Sequence, residues 1–238
     1  MFSLYNKTPF IFIHTPKTGG GSLKLLLAES FKKDINKIKI YDTNLSIKAN
    51  KRKYLKSLFK GNYFLDSPLR YHATLNQYSS FISKRLFSKC IKFSVIRNPF
   101  ARFFSLYKWH KNITQNITNS DISKFSNKSI AISLAGKTWG RNIDSTTFKD
   151  FVNNYKSLNN DELKNMVDYG ILKCDKLIRF ENFNNEARTF LSDLGIGDSI
   201  PHIHKTNFLE YMDYYDDKSR SLVSEIYKKD LLHFGYEF

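Results

Sequence analysis

The chain alternates short apolar runs with longer stretches of helical periodicity. Phe10 to Ile13 is an apolar, β-prone run, and beyond a glycine cluster Leu23, Leu25, Leu26 and Leu27 open a helix extending to about residue 32. A possible short strand follows at Lys37 to Tyr41, and Tyr63-Phe64-Leu65 is a further short hydrophobic piece. Helical periodicity returns near Asn76 to Phe87. Ile91, Phe93, Val95 and Ile96 make a buried strand, Asn98 is a good helix N-cap, and Pro99 suits the first helical position. Arg102, Phe103, Leu106 and Tyr107 then continue at helical spacing. Thr147 to Tyr155 reads as a helix, Cys174 to Phe180 as another core strand, and Phe183 to Leu194 as the helix after it. Leu222, Val223, Ile226, Tyr227, Leu231 and Phe234 line one stripe of a C-terminal helix. This alternation predicts a three-layer α/β fold: a mainly parallel central sheet flanked by helices.

Composition narrows the class. The 238 residues suit a single domain, 1–238, and 41% hydrophobic with 16% aromatic residues argues for a well-filled core. No apolar run approaches the roughly 20 residues a spanning helix needs, and MFSLYNKTPF lacks a signal-peptide layout, so a soluble protein is expected. Cys90 and Cys174 are too few for a disulfide framework and fit a reducing, cytoplasmic setting. The Asn-x-Ser/Thr triplets near Asn112 and Asn116 read as unmodified products of an asparagine-rich composition.

A formal charge of +16 implies attraction to polyanions: a charged nucleotide, an anionic glycan, nucleic acid or an acidic membrane surface. It does not choose among them. The densest basic segment, Lys51-Arg52-Lys53 with Lys56 and Lys60, interleaves Tyr54, Leu55, Leu58 and Phe59, as an amphipathic helix with a solvated face would. The stretch 111–145 fits no regular element and is a candidate substrate lid, with Trp139 and Arg141 as a sugar platform and a charge reader.

The chemistry concentrates at two strand ends. After Ile13 the chain reads His14-Thr15-Pro16-Lys17-Thr18-Gly19-Gly20-Gly21-Ser22. A strand passing through glycines into a helix presents backbone N–H groups with the positive end of the helix dipole behind them, an arrangement that binds phosphate. A Walker A loop puts its lysine after the glycines, whereas Lys17 precedes them, which weakens a nucleoside triphosphatase reading. Gly136-Lys137-Thr138 lacks both the first glycine and a preceding strand. The second strand end carries Arg97-Asn98-Pro99-Phe100-Ala101-Arg102-Phe103-Phe104-Ser105. In open α/β sheets the ligand crevice lies at the carboxyl ends of the strands, where both Lys17 and Arg97 are expected.

These two stretches resemble the phosphate-binding motifs of sulfotransferases, which use 3′-phosphoadenosine 5′-phosphosulfate (PAPS). The order Pro-Lys-Thr-Gly-Gly-small-Ser is similar to the 5′-phosphosulfate loop, above all of the carbohydrate-modifying enzymes of the Golgi and heparan-sulfate 2-O type. The spacing from Arg97 to Ser105 resembles the 3′-phosphate motif. Weaker likeness runs through Glu181-Asn182 and Leu194-Gly195 to the closing Phe234-Gly235-Tyr236-Glu237-Phe238. The resemblance implies a P-loop-like fold and sulfuryl transfer from PAPS to a hydroxyl or amine, with a carbohydrate acceptor. It further implies that Lys17 neutralises the leaving phosphate. Backbone N–H groups of Thr18, Gly19, Gly20, Gly21 and Ser22 would cradle the 5′-phosphosulfate, and Arg97 and Ser105 would hold the 3′-phosphate.

No metal is demanded, because a sulfuryl group carries less charge than a terminal phosphoryl group. His202 and His204 could supply half of a metal site, but no carboxylate or cysteine stands at ligand spacing. His72 is the candidate general base, with His14 as competitor and Asp66 as a third carrier or an orienting group. A P-loop nucleotide kinase and a basic nucleic-acid-binding protein are the alternatives, both counted against by the stretch from Arg97 to Ser105. No nucleic-acid partner is expected, and peripheral contact with a membrane surface stays open.

Overall fold

The computed structural model describes residues 2–3, 9–20, 23, 38–39, 63–64, 72–119, 147–154, 163–195 and 211–238. In chain order the elements are β1 (Phe2–Ser3), β2 (Phe10–Ile13), β3 (Ile38–Lys39), β4 (Tyr63–Phe64), α1 (Leu75–Phe81), α2 (Lys84–Lys89) and β5 (Ile91–Ile96). There follow α3 (Pro99–Asn119), α4 (Phe148–Asn153), β6 (Lys176–Arg179), α5 (Phe183–Asp193), α6 (Asp217–Ile226) and α7 (Lys228–Phe234). They form two compact units: Met1–Arg97 with Met166–Thr206, and Asn98–Asn165 with Asn207–Phe238.

The first unit holds the sheet, in the order β1-β2-β5-β6. β1 runs antiparallel to β2, whereas β2, β5 and β6 are parallel to one another, giving the expected α/β fold with flanking helices. All four residues of β2 are buried, as an apolar run in a sheet covered on both faces should be. Phe10, Phe12, Phe93, Val95 and Ile178 from the strands pack with Phe183, Ala187 and Leu191, which recur every four residues along α5. The Phe12 and Phe93 rings stack at 5.3 Å. Ser94 is wholly buried and donates its hydroxyl to the Ile13 carbonyl at 2.7 Å, which satisfies a polar group inside the sheet. β3 and β4 pair with each other in parallel, so both short hydrophobic pieces are strands.

The single helix expected near 76–87 is two. Ile82 is extended, and the Ser83 side chain accepts from the Leu86 N–H, so a new N-cap interrupts the periodicity.

The second unit is helical, with an aromatic core. Phe100, Phe103, Phe104 and Tyr107 on α3 meet Phe148 and Phe151 of α4 and Tyr211, Tyr215 and Tyr227 from the C-terminal part. Asn98 caps α3 as expected: its Oδ1 accepts from the Phe100 N–H at 2.9 Å, and its carbonyl accepts from the Arg102 N–H. α3 runs on to Asn119, so 111–119, expected as irregular chain, is helical; 120–146, including Trp139 and Arg141, lies outside the described residues.

The continuous C-terminal helix is also broken, at Tyr227. The Asn165 side chain donates to the Ile226 carbonyl at 3.0 Å and accepts from the Asp230 N–H at 3.2 Å. Those two backbone groups are four residues apart, so one amide stands in the place of a helical hydrogen bond and divides α6 from α7. Beside it Arg102 and Asp230, both buried, pair at 3.4 Å, and Arg102 also donates to the Lys164 carbonyl at 2.9 Å. The second arginine of the Arg97–Ser105 stretch is therefore occupied inside the helical unit.

Candidate active site

Three adjacent parallel strands end at one edge of the sheet, and the residue that follows each is distinctive: His14 after β2, Arg97 after β5 and Phe180 after β6. This is the carboxyl edge, where α/β sheets take their ligands. The loop from His14 to Gly20 leaves β2 there and enters a helix at Gly20, the Leu23 N–H bonding to the Gly19 carbonyl at 3.2 Å.

Two threonines brace the loop from inside. Thr15 Oγ1 donates to the Val95 carbonyl at 3.2 Å, tying the loop to β5. Thr18 Oγ1 donates to the Thr15 carbonyl at 3.0 Å and lies 2.9 Å from Thr15 Oγ1. Both are wholly buried, so their side chains shape the loop from within.

Lys17 is half-buried and is the one non-glycine among the described residues with a positive φ, 61°. Its carbonyl accepts from Arg97 Nη1 at 3.2 Å, so the cations of the two motifs are joined through the lysine backbone. The Arg97 guanidinium lies 4.5 Å from the centre of the Phe180 ring, within cation–π range.

The glycines have steric reasons to be glycine. Gly19 has φ +84°, and a Cβ there would overlap the Phe180 ring. A Cβ on Gly20 would overlap the His14 imidazole. At these two positions the missing side chains make room for the Phe180 and His14 rings, which lets the loop pack closely where the helix starts.

His14 is buried, stacked on Phe12 at 5.8 Å, and its ring centre lies 4.8 Å from that of His72. His72 is half-buried, two residues before the Thr74 N-cap of α1, and its Nδ1 is 3.0 Å from the His14 carbonyl. A carbonyl can only accept, so Nδ1 carries a proton, and in the neutral imidazole Nε2 then keeps the lone pair.

The first unit thus brings together Lys17, Thr18, Gly19, Gly20, His72 and Arg97. Ser105 belongs to the second unit, half-buried on α3. Gly21, Ser22, Asp66, the basic segment 51–60, His202 and His204 lie outside the described residues. Among the described residues no cluster of three metal-ligating side chains occurs, and no helix is long and apolar enough to cross a membrane. Sequence reasoning missed Thr15 and Phe180. The expected strand Cys174 to Phe180 included Phe180, whereas the structure ends β6 at Arg179 and places Phe180 directly after it, as His14 and Arg97 follow β2 and β5.

The family model described as "Sulfotransferase family" matches residues 2–237. No curated protein and no solved structure matches the chain.

Proposed function

Because the chain belongs to the sulfotransferase family, we propose that it moves the sulfuryl group of PAPS to a hydroxyl or amine of an acceptor, with carbohydrate as the acceptor class. The observation that carries this reading is the joined pair at the strand ends. Lys17 sits in a loop whose described glycines have no room for side chains, and Arg97 is bonded to that lysine's carbonyl. Such a site suits a nucleotide with anionic groups at both ends. Neither the kinase nor the nucleic-acid alternative has an observation of its own in its favour.

PAPS, when bound, supplies an activated sulfuryl group on a phosphate leaving group. Lys17 is assigned to the charge that builds on the leaving oxygen, where a fixed ammonium helps more in the transition state than in the ground state. The backbone of Thr18, Gly19 and Gly20, continued by Gly21 and Ser22, is assigned to the 5′ end. Arg97 takes the 3′-phosphate, whose oxygens a planar guanidinium can grip by two parallel hydrogen bonds. Ser105 keeps the role its motif implies. His72 Nε2 takes the acceptor proton as the acceptor oxygen or nitrogen attacks, and its tautomer is set by the His14 carbonyl. We further propose a cytoplasmic location, which the low cysteine content, two residues far apart in sequence, fits.

The test is calorimetry with adenosine 3′,5′-bisphosphate, ATP and single-stranded DNA. The bisphosphate should bind tightest, and Arg97→Ala should weaken it by about 2–4 kcal/mol. Preference for ATP or DNA overturns the assignment.

A further inference from the structure

Phe180 touches both halves of the proposed cofactor site, although no motif draws attention to it. Its ring covers Gly19 of the loop and lies against the Arg97 guanidinium, 4.5 Å from ring centre to Cζ. Arg97 Nη1 in turn holds the carbonyl of Lys17, whose φ of 61° is unfavourable for a residue with a Cβ and persists where neighbours fix it. A guanidinium has five N–H donors in a planar fork, enough to serve a carbonyl at one edge and a phosphate at another. An aromatic face beneath that plane restricts its tilt without using any of the donors.

We infer that Phe180 is a positioning residue: it holds Arg97 where one guanidinium fixes the Lys17 backbone and reads the 3′-phosphate, so that the two ends of the cofactor site are set together. This rests on the PAPS reading above. Phe180 also packs against the core of the first unit, and a purely structural role would move stability or all nucleotide binding alike. A positioning role acts selectively on the 3′-phosphate and requires the aromatic face.

The experiment is calorimetry on the full chain with adenosine 3′,5′-bisphosphate and adenosine 5′-monophosphate, whose affinity ratio isolates the 3′-phosphate. Phe180→Leu should reduce the wild-type preference for the bisphosphate by about 3- to 10-fold, the range a lost cation–π contact gives, whereas Phe180→Tyr should keep it within about 2-fold. In an Arg97→Ala background, Phe180→Leu should have no further effect on the ratio. Should the leucine variant fail to fold by circular dichroism, Phe180→Met, which fills the space without a π face, gives the same comparison. A preserved ratio in the leucine or methionine variant, equal losses for both nucleotides, or an undiminished effect without Arg97 each overturns the inference. A wild type that does not prefer the bisphosphate overturns the PAPS reading itself, and the inference with it.

Discussion

At the scale of single residues, the lysine before the glycines is held in a backbone conformation that costs on the order of 1–2 kcal/mol for any side chain with a Cβ. Arg97 bonds its carbonyl and two buried threonines brace the turn around it, so the conformation is over-determined. Lys17→Ala keeps that backbone and removes only the ammonium. We predict that it lowers kcat by roughly 10²-fold or more with a smaller change in cofactor affinity. Near-normal turnover at saturating PAPS would remove Lys17 from the chemistry. The two histidines separate by the same reasoning. His14 orients His72 through a backbone carbonyl, which any residue at position 14 would offer, whereas His72 contributes its ring. His72→Ala should therefore abolish the acidic limb of the rate profile and cost about 10²- to 10⁴-fold in kcat, while nucleotide binding survives. His14→Ala should keep the limb. A normal profile in His72→Ala with a lost limb in His14→Ala would exchange the assignments.

At the scale of elements, the strands that carry the site were legible because their signals are local. An apolar run followed by glycines, or by Asn98-Pro99, states both the strand and the start of the next helix within a few residues. The helix breaks at Ser83 and Tyr227 differ in how far away their causes lie. Ser83 is a local cap that helical periodicity outvoted. The break at Tyr227 depends on the amide of Asn165, more than sixty residues earlier, entering the ladder between Ile226 and Asp230. No window on the sequence around 227 contains it. Phe180 was missed for a similar reason, since its contacts are with Gly19 in the loop after β2 and Arg97 directly after β5, both distant in sequence. α6 offers a test of local capping. Asp216 accepts from the Ser219 N–H at 2.8 Å, and that bond first, then the Ser219 side chain and Lys149, lowers its carboxyl from 3.8 to about 2. A depressed folded value means that the carboxylate's stabilisation is complete above the ordinary aspartate range and fades as pH falls through about 2. The Tm gap between wild type and Asp216→Asn should therefore be constant at neutral pH and close on acidification. A gap unchanged at pH about 2 would assign the cap to geometry alone, since the aspartate is by then about half protonated and most of its charge-linked stabilisation is gone.

At the scale of the whole molecule, the α/β class followed from the alternation of elements, but the division into two units did not. Its boundary at Arg97 and Asn98 falls inside a motif that reads as one uninterrupted step from strand to helix. The charge, in contrast, is a property of the entire sequence and can be used directly. Lysine and arginine exceed aspartate and glutamate by 38 to 22, a field that raises the local concentration of anions and speeds their encounter. PAPS alone would benefit from it, but so would an anionic glycan, and the two can be separated by holding PAPS at saturation. Under that condition, raising salt from about 50 mM to about 0.5 M shortens the screening length several-fold and should raise the KM of a uronate-bearing or already sulfated oligosaccharide by about 3-fold or more. The kcat at saturating acceptor should hold, because salt weakens the approach rather than the chemistry. A neutral oligosaccharide of the same length should show little change. Equal salt responses for the two acceptors would mean that the charge serves the cofactor only, and the acceptor class would then rest on the motif resemblance alone.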